Sequence, residues 1–148
     1  MYMKGKIFVL VVLVAAVLFV GGCLGSSVQK PAPAGKACDT NSECMMESFL
    51  GCNTAYGNLN PDPQNSFYYQ VIGTEGENCK VYLQMLKAKD VPEFMNGLDA
   101  ICKVKPADLA QKIEAQGAGM DISRMDCQGP LYDAAKTVQS LGNAAKGQ

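Results

Sequence analysis

Six cysteines, Cys38, Cys44, Cys52, Cys79, Cys102 and Cys127, follow residue 37 in a chain of 148 residues that has seven in all. In a small domain outside the reducing cytosol, an even set like this forms a framework of three disulfides. Each bridge typically contributes about 2–4 kcal/mol. That is a large share of a total stability of about 5–15 kcal/mol. The framework therefore constrains the fold more than any other feature, provided that the chain is exported.

The N-terminus supplies that condition. The first six residues contain Lys4 and Lys6 and no acid, and Ile7 to Val20 is an unbroken apolar run. Small residues follow. A basic start, a short apolar stretch and a small-residue exit define a secretory signal. The run is shorter than the roughly 20 residues that span a bilayer. It has no polar face, which argues against a core helix of a cytosolic protein.

The leader ends in Val20-Gly21-Gly22-Cys23. This resembles the lipobox of prokaryotic lipoproteins, an aliphatic and two small residues ahead of cysteine, and Gly21-Gly22-Cys23-Leu24-Gly25 has an archaeal flavour. The resemblance covers about the first 25 residues and no more. It implies cleavage after residue 22, a two-chain lipid on the Cys23 sulfur and a home on the outer face of the cytoplasmic membrane. One acyl chain binds marginally and two hold firmly, so no other membrane contact is needed. The competing expectation is an uncleaved signal anchor, which leaves the rest of the chain on the same side because the lysines stay inside.

Residues 23–37 are small, Pro-containing and nearly uncharged. Such a segment buries too little apolar surface to offset its ordering entropy. It is expected to be a flexible tether with a mean reach of about 20 Å. Pro31-Ala32-Pro33 lacks the spacing of a PxxP ligand. Residues 38–142 are then one small disulfide-rich domain, and 143–148 a frayed tail.

Within the domain, Thr40 and Glu43 have the spacing of a capping box. A helix over 41–50 follows, closed by Gly51. Residues 53–66 contain Gly57, Pro61 and Pro63 and are expected to form a loop. Three strands are predicted at 67–72, 79–86 and 98–104 from aromatic and β-branched content and period-two alternation. Pro106 opens a helix ending at Gly117. Leu131, Ala135 and Val138 mark an amphipathic helix from 130 to 141, stopped by Gly142. The fold expected is α+β: a small disulfide-stabilised domain with a three-stranded antiparallel meander and flanking helices. Cys79 and Cys102 share the apolar faces of neighbouring strands and form the favoured pair. Cys44 or Cys52 would then reach Cys127.

Removing Lys4 and Lys6 from 13 basic residues leaves 11 against 14 acids, a net charge of −3. That excludes a strong electrostatic case for nucleic acid or anionic lipid headgroups. The chain has no His, which removes Ser-His-Asp and Cys-His catalysis and the usual His-based metal sites. No two cysteines stand in the Cys-x-x-Cys spacing of dithiol oxidoreductases or zinc ribbons. Asn58, Asn60 and Asp62 alternate as in a calcium loop, but the next positions fail: Pro63 replaces its glycine and Tyr69 its glutamate. Glu75 with Glu77, and Asp121 with Asp126, are candidate carboxylate pairs, but acid catalysis needs one carboxyl in a cleft, and Glu75 and Glu77 lie in a Gly-rich turn that solvates both. No catalytic, metal or cofactor site emerges. Among the aromatics, Tyr68 and Tyr82 are the residues best placed to form a binding surface, if the sheet face opposite the core is open. The expected function is that of a membrane-anchored, extracytoplasmic binding or structural module, not an enzyme, with a protein or small ligand as partner. The alternative is a small extracytoplasmic enzyme or redox helper using carboxylates or one labile disulfide.

Overall fold

A computed structural model describes residues 28–89, 91–106, 108 and 125–146. The leader, Cys23 and most of the helix expected over 106–117 lie outside the described residues.

The strands are β1 (Lys36–Asp39), β2 (Ala55–Asp62), β3 (Asn65–Glu75), β4 (Asn78–Lys87), β5 (Asp99–Val104) and β6 (Asp126–Gln128). Among the described residues the helices are α1 (Ser42–Gly51) and α2 (Pro130–Lys146), with a 3-10 turn at Glu93–Met95. The strands form a six-stranded sheet in the order β1-β2-β3-β4-β5-β6. β1 runs parallel to β2 through the α1 crossover. All other neighbours are antiparallel. The architecture is thus α+β and disulfide-stabilised. The three expected strands account for only β3, β4 and β5 of a mixed sheet.

The residues expected to form a loop over 53–66 instead contain β2. Its Gly, Asn and Pro residues are poor strand formers, yet Tyr56 pairs with Gln70 and Asn58 with Tyr68 in the ladder to β3. The partner strand imposes the conformation. Gly57 is needed here, because a Cβ would lie 2.7 Å from the Asp39 carbonyl oxygen of β1.

α1 starts one residue later than the capping box suggests. Asn41 is the N-cap, its side-chain oxygen accepting from the Cys44 N–H at 3.0 Å. Cys52 ends the helix in the left-handed conformation, its N–H bonding back to Phe49. α2 continues through Gly142 to Lys146, past the expected stop.

Both helices pack on one sheet face. Met45 and Phe49 of α1 and Leu131 of α2 meet Tyr69, Val71, Val81 and Leu83 in a single buried cluster. Phe49 and Tyr69 stack edge-on with ring centroids 5.7 Å apart.

Three disulfides pin this core: Cys38–Cys44, Cys52–Cys79 and Cys102–Cys127. The expected Cys79–Cys102 pair does not form, and the register explains why. Cys79 faces Val104, and Cys102 lies between Val81 and Cys127. The two share a face but are one pair of positions out of line. Cys127 therefore takes Cys102, and α1 is tied to β4 through Cys52 rather than to the C-terminal part.

Candidate functional site

Alternation sends Phe67, Tyr69 and Val71 into the core, so Tyr68 and Gln70 project from the opposite face of the sheet. From β4, Tyr82 and Gln84 join them, and from β5, Asp99: Gln70 pairs with Tyr82 and Gln84 with Asp99 in the ladders. The Tyr68 and Tyr82 rings contact each other edge-on at 6.1 Å. The structure thus brings together the two tyrosines singled out from sequence.

This face is not open. Residues 28–34 cross it in irregular backbone. Lys30 Nζ donates to Gln84 Oε1 at 3.3 Å and sits 4.1 Å above the Tyr68 ring. The Gln70 side-chain amide donates to the Ala32 carbonyl at 2.8 Å. The Lys36 N–H then reaches the Thr54 carbonyl at 3.0 Å, and Lys36 and Ala37 enter β1. Beneath this strap Gln70 is 2% exposed and Tyr82 is 0% exposed. Tyr68 stays half-buried at its margin.

The polar groups underneath satisfy one another. Tyr82 Oη donates to Asp99 Oδ2 at 3.0 Å, Tyr68 Oη to Gln70 Oε1 at 3.2 Å, and Gln84 Nε2 to the Gly97 carbonyl at 3.1 Å. Burial, the bond to the Asp99 carboxylate and the nearby Tyr68 hold the Tyr82 proton on well above the usual tyrosine range. Burial and the neighbouring Tyr56 push Tyr68 the same way. Both hydroxyls act as hydrogen-bond donors and not as bases. The cluster can stack on and hydrogen-bond a ligand at its Tyr68–Lys30 margin.

The remaining candidates are dispersed. Glu75, at the far end of the sheet, is exposed and paired with Lys103 and, at 3.4 Å, with Lys80. Those hydrogen bonds and charges hold its carboxyl below the usual range, the opposite of what a general acid requires. Glu77 is exposed in the β3–β4 turn. Asp126 is exposed on β6, and Asp121 lies outside the described residues. Asn58 and Asn60 stand on strand β2, not on a loop. Among the described residues, no three His, Cys, Asp or Glu side chains converge as a metal site, and no helix is long and apolar enough to cross a membrane. Gln70, Gln84 and Asp99 were not singled out from sequence. The available signal was period two: Gln70 and Gln84 stand two positions from Tyr68 and Tyr82, and Asp99 is out of phase with the apolar Ala100, Cys102 and Val104.

No family model, curated protein or solved structure matches this chain.

Proposed function

We propose that this chain is an exported lipoprotein, held on the outer face of the cytoplasmic membrane by lipid on Cys23, that presents a disulfide-stapled domain as a binding or structural module. The pairing of the cysteines supports this most directly. Three bridges use Cys38, Cys44, Cys52, Cys79, Cys102 and Cys127, and a cysteine forms only one disulfide. Cys23, the seventh, has no partner left within the chain and stands where the lipobox resemblance asks for a lipidated residue. Three disulfides also fit a domain that works in an oxidising compartment. Of the tyrosine–carboxamide–carboxylate face, the Tyr68–Lys30 margin that stays accessible fits contact with a partner better than turnover.

Cys23→Ser tests the anchor. Expressed in a prokaryotic host, the wild-type chain should lose residues 1–22, gain the mass of a two-chain lipid and fractionate with membranes. The variant should be released, or keep its full leader, with the same circular dichroism and disulfides. If it is cut and membrane-bound like the wild type, the lipoprotein assignment is wrong.

A further inference from the structure

The strap fixes where the chain leaves the domain. Val28 lies against Gly129, the link between β6 and α2: a Cβ on Gly129 would fall 2.6 Å from Val28 Cγ2 and 2.9 Å from the Asp99 carbonyl oxygen. Gly129 and Asp99 stand at the end of the sheet where β5 begins and β4 finishes, opposite the Gly76–Glu77 turn. Five Cα steps separate Cys23 from Val28, at most about 18 Å of chain when fully extended. A free 14-residue tether would extend to roughly 50 Å on the same measure. Anchorage at Cys23 combined with the docked strap leaves this end of the sheet little distance from the bilayer and little freedom to turn away.

The same end carries two of the exposed apolar side chains among the described residues, the others, Leu50, Val138 and Leu141, being on the helices. Phe94 is 64% exposed on the 3-10 turn, and Leu86 is 42% exposed at the end of β4. The two segments are joined: the Gly97 N–H bonds to the Met85 carbonyl at 2.6 Å, and the Ala88 N–H to Asn96 Oδ1 at 3.2 Å. Lys87 and Lys89 beside them are exposed, and long lysine stems let ammonium groups reach headgroup phosphates. One phenylalanine and one leucine would not hold a free domain on a membrane. A short tether makes the contact intramolecular, with an effective concentration set by its length, so weak insertion suffices.

We infer that this end of the sheet is a membrane-facing surface, with Phe94 and Leu86 seated at the headgroup–acyl boundary, and that the opposite end with Glu75 and Glu77 points away from the bilayer. The inference rests on the proposed anchorage at residue 23.

The chain contains no tryptophan, so one introduced indole reports its own depth. The full chain, expressed, extracted from membranes and reconstituted in phosphatidylcholine–phosphatidylglycerol vesicles with brominated acyl chains, is compared as Phe94→Trp and Glu77→Trp. Bromolipid should quench the tryptophan at 94 at least threefold more than the one at 77. A ten-residue Gly/Ser insert between Ser27 and Val28 should bring quenching at 94 down toward that at 77. Equal quenching at the two positions, or quenching at 94 unchanged by the insert, overturns the inference. Intact mass of the same sample reports lipid on Cys23 separately. An uncut leader would refute lipidation yet leave the orientation measurable, since it leaves the bilayer within the same few residues. A chain found only in the soluble fraction overturns both proposals.

Discussion

Tyr69 shows how much one side chain's position decides. Alternation in β3 directs it to the core, where it is 3% exposed, and burial holds its hydroxyl proton on well above the ordinary value of 10.0. The unfolded chain ionises this group first. The folded state therefore binds more protons above pH 10, and stability falls as pH rises. The contribution is complete below pH 10 and declines above it by about 1.4 kcal/mol per pH unit. In a Cys23→Ser background, which leaves no unpaired cysteine to reshuffle disulfides in a chain made without lipid, Tyr69→Phe should flatten the decline between pH 10 and 11 by about that amount. At pH 7 it should change stability by less than about 1.5 kcal/mol, since the ring still fills its place. Urea midpoints across that range measure both, and an unchanged alkaline slope refutes the assignment. The orientation of Tyr69 and of Phe67 was legible in the sequence because period two needs only a run of apolar and aromatic residues. The burial of Gln70 was not. Nothing local distinguishes a polar residue on a wet face from one covered by a segment 38 positions away.

At the level of elements, legibility followed length and chemistry. β3, β4 and β5 are long enough to show alternation, and α1 carries an N-cap, Asn41, one position from the expected one. β1 and β6 have four and three residues, too few for a period to appear, and β2 carries turn residues that its neighbour overrides. The cysteine set was readable, but its pairing depends on strand register, which a two-residue offset reverses. That pairing makes the bridges unequal. Cys52–Cys79 closes a separation of 27 residues and fastens the α1 C-terminus to β4, whereas Cys38–Cys44 closes only 6. Loop-closure entropy assigns about 3.5 kcal/mol to the first and about 2 kcal/mol to the second. Paired alanine substitutions should therefore lower stability more for Cys52/Cys79 than for Cys38/Cys44, by about 1–2 kcal/mol in urea unfolding. The reverse order would show that native-state contacts outweigh chain entropy here.

For the molecule as a whole, the sequence places a Pro-, Ala- and Gly-rich stretch, residues 23–37, outside the fold. Its composition argues for a tether, since it has few side chains to bury. The structure binds it through groups that composition does not register: the Ala32 carbonyl, the Lys30 ammonium above Tyr68, and the Val28 methyl against Gly129. On the sheet face that this segment crosses, Gln70 and the Tyr82 ring are 2% and 0% exposed. These views differ in a measurable quantity. A free tether can be removed without effect on unfolding. A strap covering an otherwise exposed aromatic contributes the burial of that ring, about 1.5–3 kcal/mol, while water can replace its lost hydrogen bonds at little net cost. A soluble chain beginning at Ala34 should thus be about 2–3 kcal/mol less stable than one beginning at Gly25. Lys30→Ala in the longer chain should cost less than about 1 kcal/mol, because an exposed cation–π contact is weak. Equal urea midpoints for the two chains would return residues 28–34 to the role of a tether and remove the fixed exit point on which the membrane-facing surface depends.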